Sequence, residues 1–197
     1  MVNDQPLNTV ELCGKRTRRG YNMGTASGQP FWPLDPRVEE VRLHDIAAHL
    51  ARICRFNGAL RDSVEHYSVA QHSVLVSWHV PVAYALEGLL HDAAEAYTGD
   101  MIKPLKSGVP GFVEIANNID RVVRERFGLA AEESACVKAA DYRAVLTERR
   151  DLLPIEFNVD WGVPRAEPWP EIIVPLGPRA AQTLFLARYA EITGEPV

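Results

Sequence analysis

Apolar residues recur at intervals of three and four over most of the chain after about residue 36, and this spacing constrains the fold more than any other feature. Residues 43–56, "LHDIAAHLARICRF", illustrate the pattern. Their apolar members fall on one helical stripe: Leu43, Ile46, Ala47, Leu50 and Ile53. No segment shows the regular alternation that is typical of half-buried strands. The chain is therefore predicted to be all-α.

Capping and breaking residues divide this pattern into about six helices. Ser68 and Gln71 form a capping-box pattern that predicts a helix beginning at Val69, and Pro81 ends it. The next helix is predicted over about residues 82–97. The remaining helices are predicted over residues 43–56, 111–127, 132–153 and 179–194, with Gly128 and Pro154 as stop signals.

The N-terminal part of the chain has a different character. Residues 1–36 are rich in Gly, Asn, Arg and Pro and lack helical periodicity, so they are predicted to form an arm of turns with a short ribbon near residues 27–36. Residues 37–197 can bury one core as a single domain. Phe31 and Trp32 could stack on a base, although an aromatic beside a proline more often packs to fix a loop.

Composition excludes several classes of function. The net charge of −5 is spread along the chain without a basic stripe, so duplex nucleic acid is not an expected partner, whereas a small anionic ligand is compatible. Cys13, Cys54 and Cys136 are widely spaced, which favours a reducing cytoplasm. No apolar run approaches the roughly 20 residues that span a bilayer, so a soluble protein without a membrane partner is expected.

The segment 157–178, rich in proline and containing two tryptophans, is predicted to be an ordered loop with a short extended "EIIV".

Polar residues are concentrated in "EGLLHDAAEAYTGD", residues 87–100. In a regular helix that turns by roughly 100° per residue, Glu87, His91, Asp92 and Glu95 gather on one side, opposite a broad apolar face. Considered alone, this segment is typical of an amphipathic helix with a solvated side.

Two polar residues on the apolar stripes of other helices change this interpretation. His72 lies on the apolar side of its helix, where a lone histidine is more often a satisfied core residue than a ligand. Asp141 shares a stripe with Val137, and a buried aspartate requires a cation nearby. Lys138 or Arg149 can supply that cation as a salt bridge, and so can a metal ion.

The three predicted helices together offer two imidazoles and two carboxylates: His72, His91, Asp92 and Asp141. Such a donor set suits a divalent transition metal and leaves coordination positions for water and substrate. A metal of this kind makes hydroxide available near neutral pH, which indicates hydrolysis.

Spacing of this kind is weak evidence by itself, and a second His/Asp cluster shows why. His44, Asp45 and His49 lie within six residues, but two histidines five residues apart point about 140° away from each other on a helix. They cannot bind one metal together, so neither His44 nor His49 is assigned a role.

The order His72, His91–Asp92, Asp141 resembles the H…HD…D signature of the HD-domain metal-dependent phosphohydrolases. Within that superfamily, residues 55–76, 89–106 and 137–153 are similar to the bacterial and phage 5′-deoxynucleotidase group. The resemblance covers about residues 43–153 and implies an HD-domain helical bundle. Residues 24–36, "GTASGQPFWPLDP", are also similar to phage members, some of which remove deoxyadenosine triphosphate from the nucleotide pool.

The resemblance implies that His72, His91, Asp92 and Asp141 hold the metal. This metal would be zinc, cobalt, manganese or iron, and a second ion such as magnesium is compatible with the family.

The remaining roles fall on residues around these ligands. Glu95 matches the catalytic acid of the family's HDxxE segment, and Asp100 matches an acid that organises the water or the sugar. Arg55 and Lys106 match basic groups near the phosphate, with Lys103 as a close competitor of Lys106. Phe56 stands where the bacterial enzymes commonly carry a tryptophan that bears on the choice of deoxyribose.

The expected reaction is attack by hydroxide, generated at the metal, on the phosphorus nearest the nucleoside. It gives a deoxynucleoside plus phosphate or triphosphate. Two alternatives remain open: an HD hydrolase of another phosphoester, such as a cyclic nucleotide or an alarmone, and a non-enzymatic helical module in which the metal only staples the fold. Relatives of this kind are often dimers or larger, so a homo-oligomer is expected.

Overall fold

A computed structural model describes residues 9–10, 18–154 and 166–197. Within these residues the chain is mostly helical, which confirms the all-α prediction. The helices are α1 (Leu43–Leu50), α2 (Val69–Trp78), α3 (Ala85–Leu90), α4 (Glu95–Thr98), α5 (Lys103–Lys106), α6 (Pro110–Arg126), α7 (Ala135–Leu152) and α8 (Pro178–Thr193). Two short antiparallel ribbons precede them: β1 (Thr9–Val10) with β2 (Arg18–Arg19), and β3 (Met23–Gly24) with β4 (Pro30–Phe31).

Helix α2 lies at the centre of the bundle and packs against α1, α3, α7 and α8. It begins at Val69 as predicted, because the Ser68 hydroxyl accepts a hydrogen bond from the Gln71 amide at 3.2 Å. Buried residues occupy nearly every side of this helix, as is usual for a helix enclosed by others. His72 is one of them and has no exposed surface.

Helix α1 is shorter than predicted, since it ends at Leu50 instead of continuing to residue 56. A short 3₁₀ turn, Arg55–Gly58, follows it, in which Phe56 and Asn57 have φ angles of 55° and 53°. Residues other than glycine rarely adopt this left-handed conformation, and it costs energy. The turn is held because the Arg55 amide donates a hydrogen bond to the Tyr67 carbonyl at 2.9 Å.

The single helix predicted over residues 82–97 is also incorrect. A 3₁₀ turn at Val82–Tyr84 precedes α3, and residues 91–94 separate α3 from α4. In this separating turn, Ala93 and Glu95 donate to carbonyls three residues earlier, at 3.0 and 2.9 Å, which winds the backbone more tightly than an α-helix. The side expected to face solvent is partly buried, because Glu87 is only 6% exposed. This break, with the unpredicted α5, accounts for the eight α-helical segments of the described residues, where about six were predicted.

The other boundaries agree closely with the stop signals. Helix α6 begins at Pro110 and ends before Gly128, which has a φ of 66°. Helix α7 ends before Pro154 but begins at Ala135, a few residues later than predicted. None of the described helices is long and apolar enough to cross a bilayer.

The arm is attached to the bundle by two polar side chains of α1. Asp45 accepts hydrogen bonds from the Ser27 amide and hydroxyl at 2.6 and 2.8 Å. His49 Nε2 accepts from the Ala26 amide at 3.0 Å, and His49 Nδ1 donates to the Ala96 carbonyl at 2.7 Å. His49 therefore anchors the arm, which is consistent with giving it no role as a ligand.

The two aromatic residues of the predicted ribbon take different positions. Phe31 is fully buried and stacks on Tyr97, with ring centroids 3.8 Å apart. Trp32 is half-buried, and the guanidinium of Arg18 lies 4.1 Å from the centre of its ring. Arg18 in turn forms an ion pair with Asp35 at 2.6 Å. Both aromatics thus make packing contacts within the arm and the bundle.

The proline-rich segment is described only in part, because residues 155–165 lie outside the described ranges. Cys13 also lies outside them. In the part after residue 165, Trp169 is buried and stacks on His79 at 3.7 Å. The extended "EIIV" is not assigned as a strand there, but the Gln71 side chain donates to the Val174 carbonyl at 2.8 Å. Among the described cysteines, Cys54 and Cys136 are free thiols.

The position of Phe31 generates a stability prediction. Phe31→Ala should lower the free energy of unfolding by about 3–5 kcal/mol, the usual cost of emptying a buried phenylalanine site. Tyr21→Ala is the control, because Tyr21 belongs to the same arm but is 74% exposed, and it should change stability by less than about 0.5 kcal/mol. Urea denaturation measures both. Equal effects of the two substitutions would show that the arm is not part of the core.

Candidate metal centre

Four predicted ligands meet between three helical segments. His72 projects from α2, Asp141 projects from α7, and His91 with Asp92 lies in the turn between α3 and α4. His72 Nε2 is 3.2 Å from His91 Nε2 and 3.2 Å from Asp141 Oδ1, and His91 Nε2 is 3.9 Å from the same oxygen. Asp92 Oδ2 lies 3.5 Å from His72 Nε2 and 3.3 Å from His91 Nε2.

These separations fit a single divalent ion. Ligands about 2.0–2.1 Å from a tetrahedral zinc lie about 3.3–3.4 Å from one another. The ligand atoms of His72, His91 and Asp141 all lie within 4.8 Å of one another, so one ion can reach them with small adjustments. Imidazole nitrogens with carboxylate oxygens suit zinc, cobalt, manganese or iron.

The hydrogen bonds of the second ring nitrogens fix how the two histidines face the centre. His72 Nδ1 donates to Glu148 Oε1 at 2.6 Å, and His91 Nδ1 donates to the Gly88 carbonyl at 2.9 Å. In the neutral tautomer of each ring, Nε2 then carries a lone pair directed at the cluster. Two such lone pairs 3.2 Å apart repel each other unless a cation lies between them. The arrangement therefore requires a metal ion or a proton at this position.

Two proteins show sequence similarity to the chain, although no family model matches it. An uncharacterized protein of Escherichia coli (strain K12), YfdR, is 39% identical over 171 residues, which cover 86% of this chain and 94% of the relative. The chain belongs to the YfdR family. An uncharacterized protein of Rhodobacter capsulatus is 38% identical over 122 residues, covering 58% of this chain and 62% of that protein.

In this YfdR-family chain, Arg55 lies beside the candidate ligands. It is 8% exposed, and its guanidinium nitrogens lie 3.2 Å from Glu148 and 3.6 Å from Asp92. Arg55 lies in the 3₁₀ turn that follows α1, five residues beyond the end of that helix at Leu50. A guanidinium in this position can bind phosphate oxygens through two parallel hydrogen bonds.

Glu95 and Asp100 form the acidic side of the site. Within the described part of the chain, Glu95 Oε2 is buried and has no hydrogen-bond partner. Burial raises the pKa of Glu95 well above its usual value, and Asp92 and Asp100 add to this effect. Burial likewise raises the pKa of Asp100. The raised pKa favours the protonated form of Glu95, which can act as a general acid.

The other predicted substrate contacts occupy different surroundings. Lys106 is half-buried, and its positive charge lowers the pKa of Glu95, in the opposite direction to the effect of burial. Lys103 is exposed and lies 5.6 Å from the centre of the Tyr142 ring. Phe56 lies beside Arg55, whose guanidinium carbon is 5.2 Å from the centre of the phenylalanine ring. Trp32 instead packs against Arg18 in the arm, as described above.

Charge balance around the ligands depends on their mutual contacts. Burial alone would lower the pKa of His91, but Asp92 and Asp141 raise it to about 10. Burial opposes ionisation of Asp92, yet His91, His72 and Arg55 hold its pKa far below the usual range. A proton on His91 compensates the carboxylates when no metal is bound, so metal binding should release that proton.

Glu148 is a residue of this site that the sequence analysis missed. It is fully buried and contacts His72, Arg55 and the Tyr67 hydroxyl. The sequence does indicate it, because Glu148 follows Asp141 by seven residues and therefore lies on the same side of α7. Both carboxylates therefore share the apolar stripe of α7, where each requires a partner.

The ligand geometry generates a prediction about metal-dependent stability. Zinc, cobalt or manganese at about 100 times its dissociation constant should stabilise chelator-stripped protein by about 2.7 kcal/mol. Asp141→Asn should remove most of this stabilisation, because a neutral amide is a much poorer ligand than a carboxylate. Thermal denaturation with and without metal measures both.

Glu132→Gln serves as the control, since it removes an exposed carboxylate shortly before α7. It should retain the full metal-dependent stabilisation. A metal effect that is equal in Asp141→Asn and in the unmodified protein would place the bound ion elsewhere.

Proposed function

We propose that this protein is a metal-dependent phosphohydrolase of nucleotides, which releases a (deoxy)nucleoside together with phosphate or triphosphate. The supporting observation is that two imidazoles and two carboxylates converge beside a buried arginine. A metal that only staples a fold needs no adjacent anion-binding cation and no unpartnered acid. The resemblance to HD-domain phosphohydrolases supports the same conclusion.

The metal would be held by His72, His91, Asp92 and Asp141. A divalent transition metal supplies a low pKa for bound water and withdraws charge from phosphoryl oxygens. Arg55 would bind the phosphoryl oxygens and offset the negative charge that develops on them. Lys106 would contribute a second positive charge from α5.

Glu95 would transfer protons during the reaction. Burial raises the pKa of its carboxyl group and so favours the protonated form, from which a proton can pass to the nucleoside oxygen as the bond to phosphorus breaks. The resulting carboxylate would be stabilised by Lys106, whose charge already favours the ionised form. Asp100 would orient the water or the sugar hydroxyls, the role that the family resemblance implies.

Mono- and triphosphates share the same chemistry at the attacked phosphorus, so both belong to the proposed substrate class. The binding determinants of the site are an arginine for the phosphate and the ring of Phe56, which lies next to that arginine. Phe56 is held in a left-handed backbone conformation, and strain of this kind is concentrated at functional sites. We therefore propose that Phe56 contacts the sugar of the substrate.

Turnover of a nucleotide panel tests the proposal. Chelator-stripped protein is supplied with single divalent metals and assayed with ribo- and deoxyribonucleoside mono- and triphosphates, with chromatographic identification of the products. We expect free nucleoside from at least one deoxy substrate. Asp92→Ala should lower this activity by at least about 100-fold, since changes that only support a ligand already cost 10–100-fold.

Glu95→Gln separates catalysis from structure in the same assay. It should retain bound metal and lose about 10²–10⁴-fold in turnover, the usual contribution of a general acid. Hydrolysis of only cyclic nucleotides or alarmones would assign the site to another phosphoester. Bound metal without hydrolysis of any phosphoester would favour the metal-stapled module.

A further inference from the structure

Glu148 contacts both a candidate metal ligand and Arg55, through separate oxygen atoms. Its Oε1 accepts hydrogen bonds from His72 Nδ1 at 2.6 Å and from the Tyr67 hydroxyl at 2.9 Å. Its Oε2 accepts from Arg55 Nη2 at 3.2 Å. The carboxylate has no exposed surface, so these protein groups replace the water it loses on folding.

We propose that Glu148 is a positioning residue that sets both the metal affinity of the centre and the placement of Arg55. The part that concerns metal affinity depends only on the geometry of the ligands. The part that concerns Arg55 rests on the proposed function, in which Arg55 binds the phosphate of the substrate.

The contact between Glu148 and His72 supports the proposed effect on metal affinity. A carboxylate that accepts the Nδ1 proton holds the imidazole in the tautomer whose Nε2 can bind a metal, and it increases the electron donation of that nitrogen. The Tyr67 hydroxyl bonds to the same carboxylate oxygen and so restricts its position. Helix α7 thereby supplies one candidate ligand, Asp141, and also Glu148, which supports a second candidate ligand, His72 of α2.

The contact between Glu148 and Arg55 supports the proposed effect on the placement of Arg55. The guanidinium is shared between two acids, because Arg55 Nη1 also lies 3.6 Å from Asp92 Oδ2. If Glu148 loses its charge, Arg55 is left with Asp92 as its nearer acidic partner and is drawn toward that carboxylate. Arg55 would then compete with the metal for Asp92 and move away from the phosphate position.

Glu148→Gln tests the metal part directly. The amide oxygen can accept from His72 or from Arg55, but the amide nitrogen at the other end then faces a second donor. We expect the dissociation constant for zinc, measured by competition with a chromophoric chelator, to increase by about 10–100-fold. The visible absorption bands of bound cobalt should also change, which reports directly on the ligand field.

Glu87→Gln is the matched control, because Glu87 is another buried carboxylate paired with an arginine, Arg124, at 3.4 Å. It should lower stability without changing zinc affinity by more than about twofold. The metal part is wrong if folded Glu148→Gln keeps wild-type zinc affinity and cobalt bands, or if Glu87→Gln weakens zinc binding equally.

The Arg55 part is tested at saturating zinc with inorganic phosphate as a competitive inhibitor of nucleotide hydrolysis. Glu148→Gln should raise the inhibition constant of phosphate and KM at least about tenfold, whereas the control Glu87→Gln should change them by less than about threefold. Unchanged constants in Glu148→Gln would overturn this part. If the unmodified protein hydrolyses no nucleotide, the proposed function fails, while weaker zinc binding by Glu148→Gln still supports the metal part.

Discussion

The buried hydrogen bond from His72 to Glu148 is the contact around which the centre of the molecule is arranged. It joins α2, the innermost helix, to α7 at a point where neither side chain has any exposed surface. A carboxylate in such surroundings is tolerated only with compensating donors, and Arg55 and Tyr67 supply them. Arg55 reaches this position from the short turn after α1, in which the next residue, Phe56, has a left-handed backbone conformation.

The sequence could predict the helix boundaries that depend on local residues, but not those that coincide with tertiary contacts. Boundaries set by local chemistry, such as the Ser68 cap and the Gly128 stop, appear where expected. The end of α1 and the break at residues 91–94 have no Gly or Pro to mark them. Both coincide with tertiary contacts, since Arg55 pairs with Glu148 after the first and His91 lies beside His72 in the second. Propensity and spacing cannot show such requirements.

The residues of the centre were predictable where a polar side chain interrupted an apolar stripe, as His72 and Asp141 do. Glu148 satisfies the same criterion, since it lies seven residues after Asp141 on the same side of α7. The burial of Arg55 and the raised pKa of Glu95 could not be read from the sequence, since both depend on groups brought together from separate helices. Structure thus adds the supporting contacts to a ligand set that the sequence indicates.

We expect one divalent ion to bind among His72, His91, Asp92 and Asp141. X-ray absorption at the zinc edge, on chelator-stripped protein given one equivalent of zinc, measures the ligands of that ion. We expect imidazole scattering from two histidines with oxygen ligands, all at about 2.0–2.2 Å, and loss of one imidazole contribution in His91→Ala. Failure to retain zinc, or a spectrum that His91→Ala leaves unchanged, would contradict this expectation.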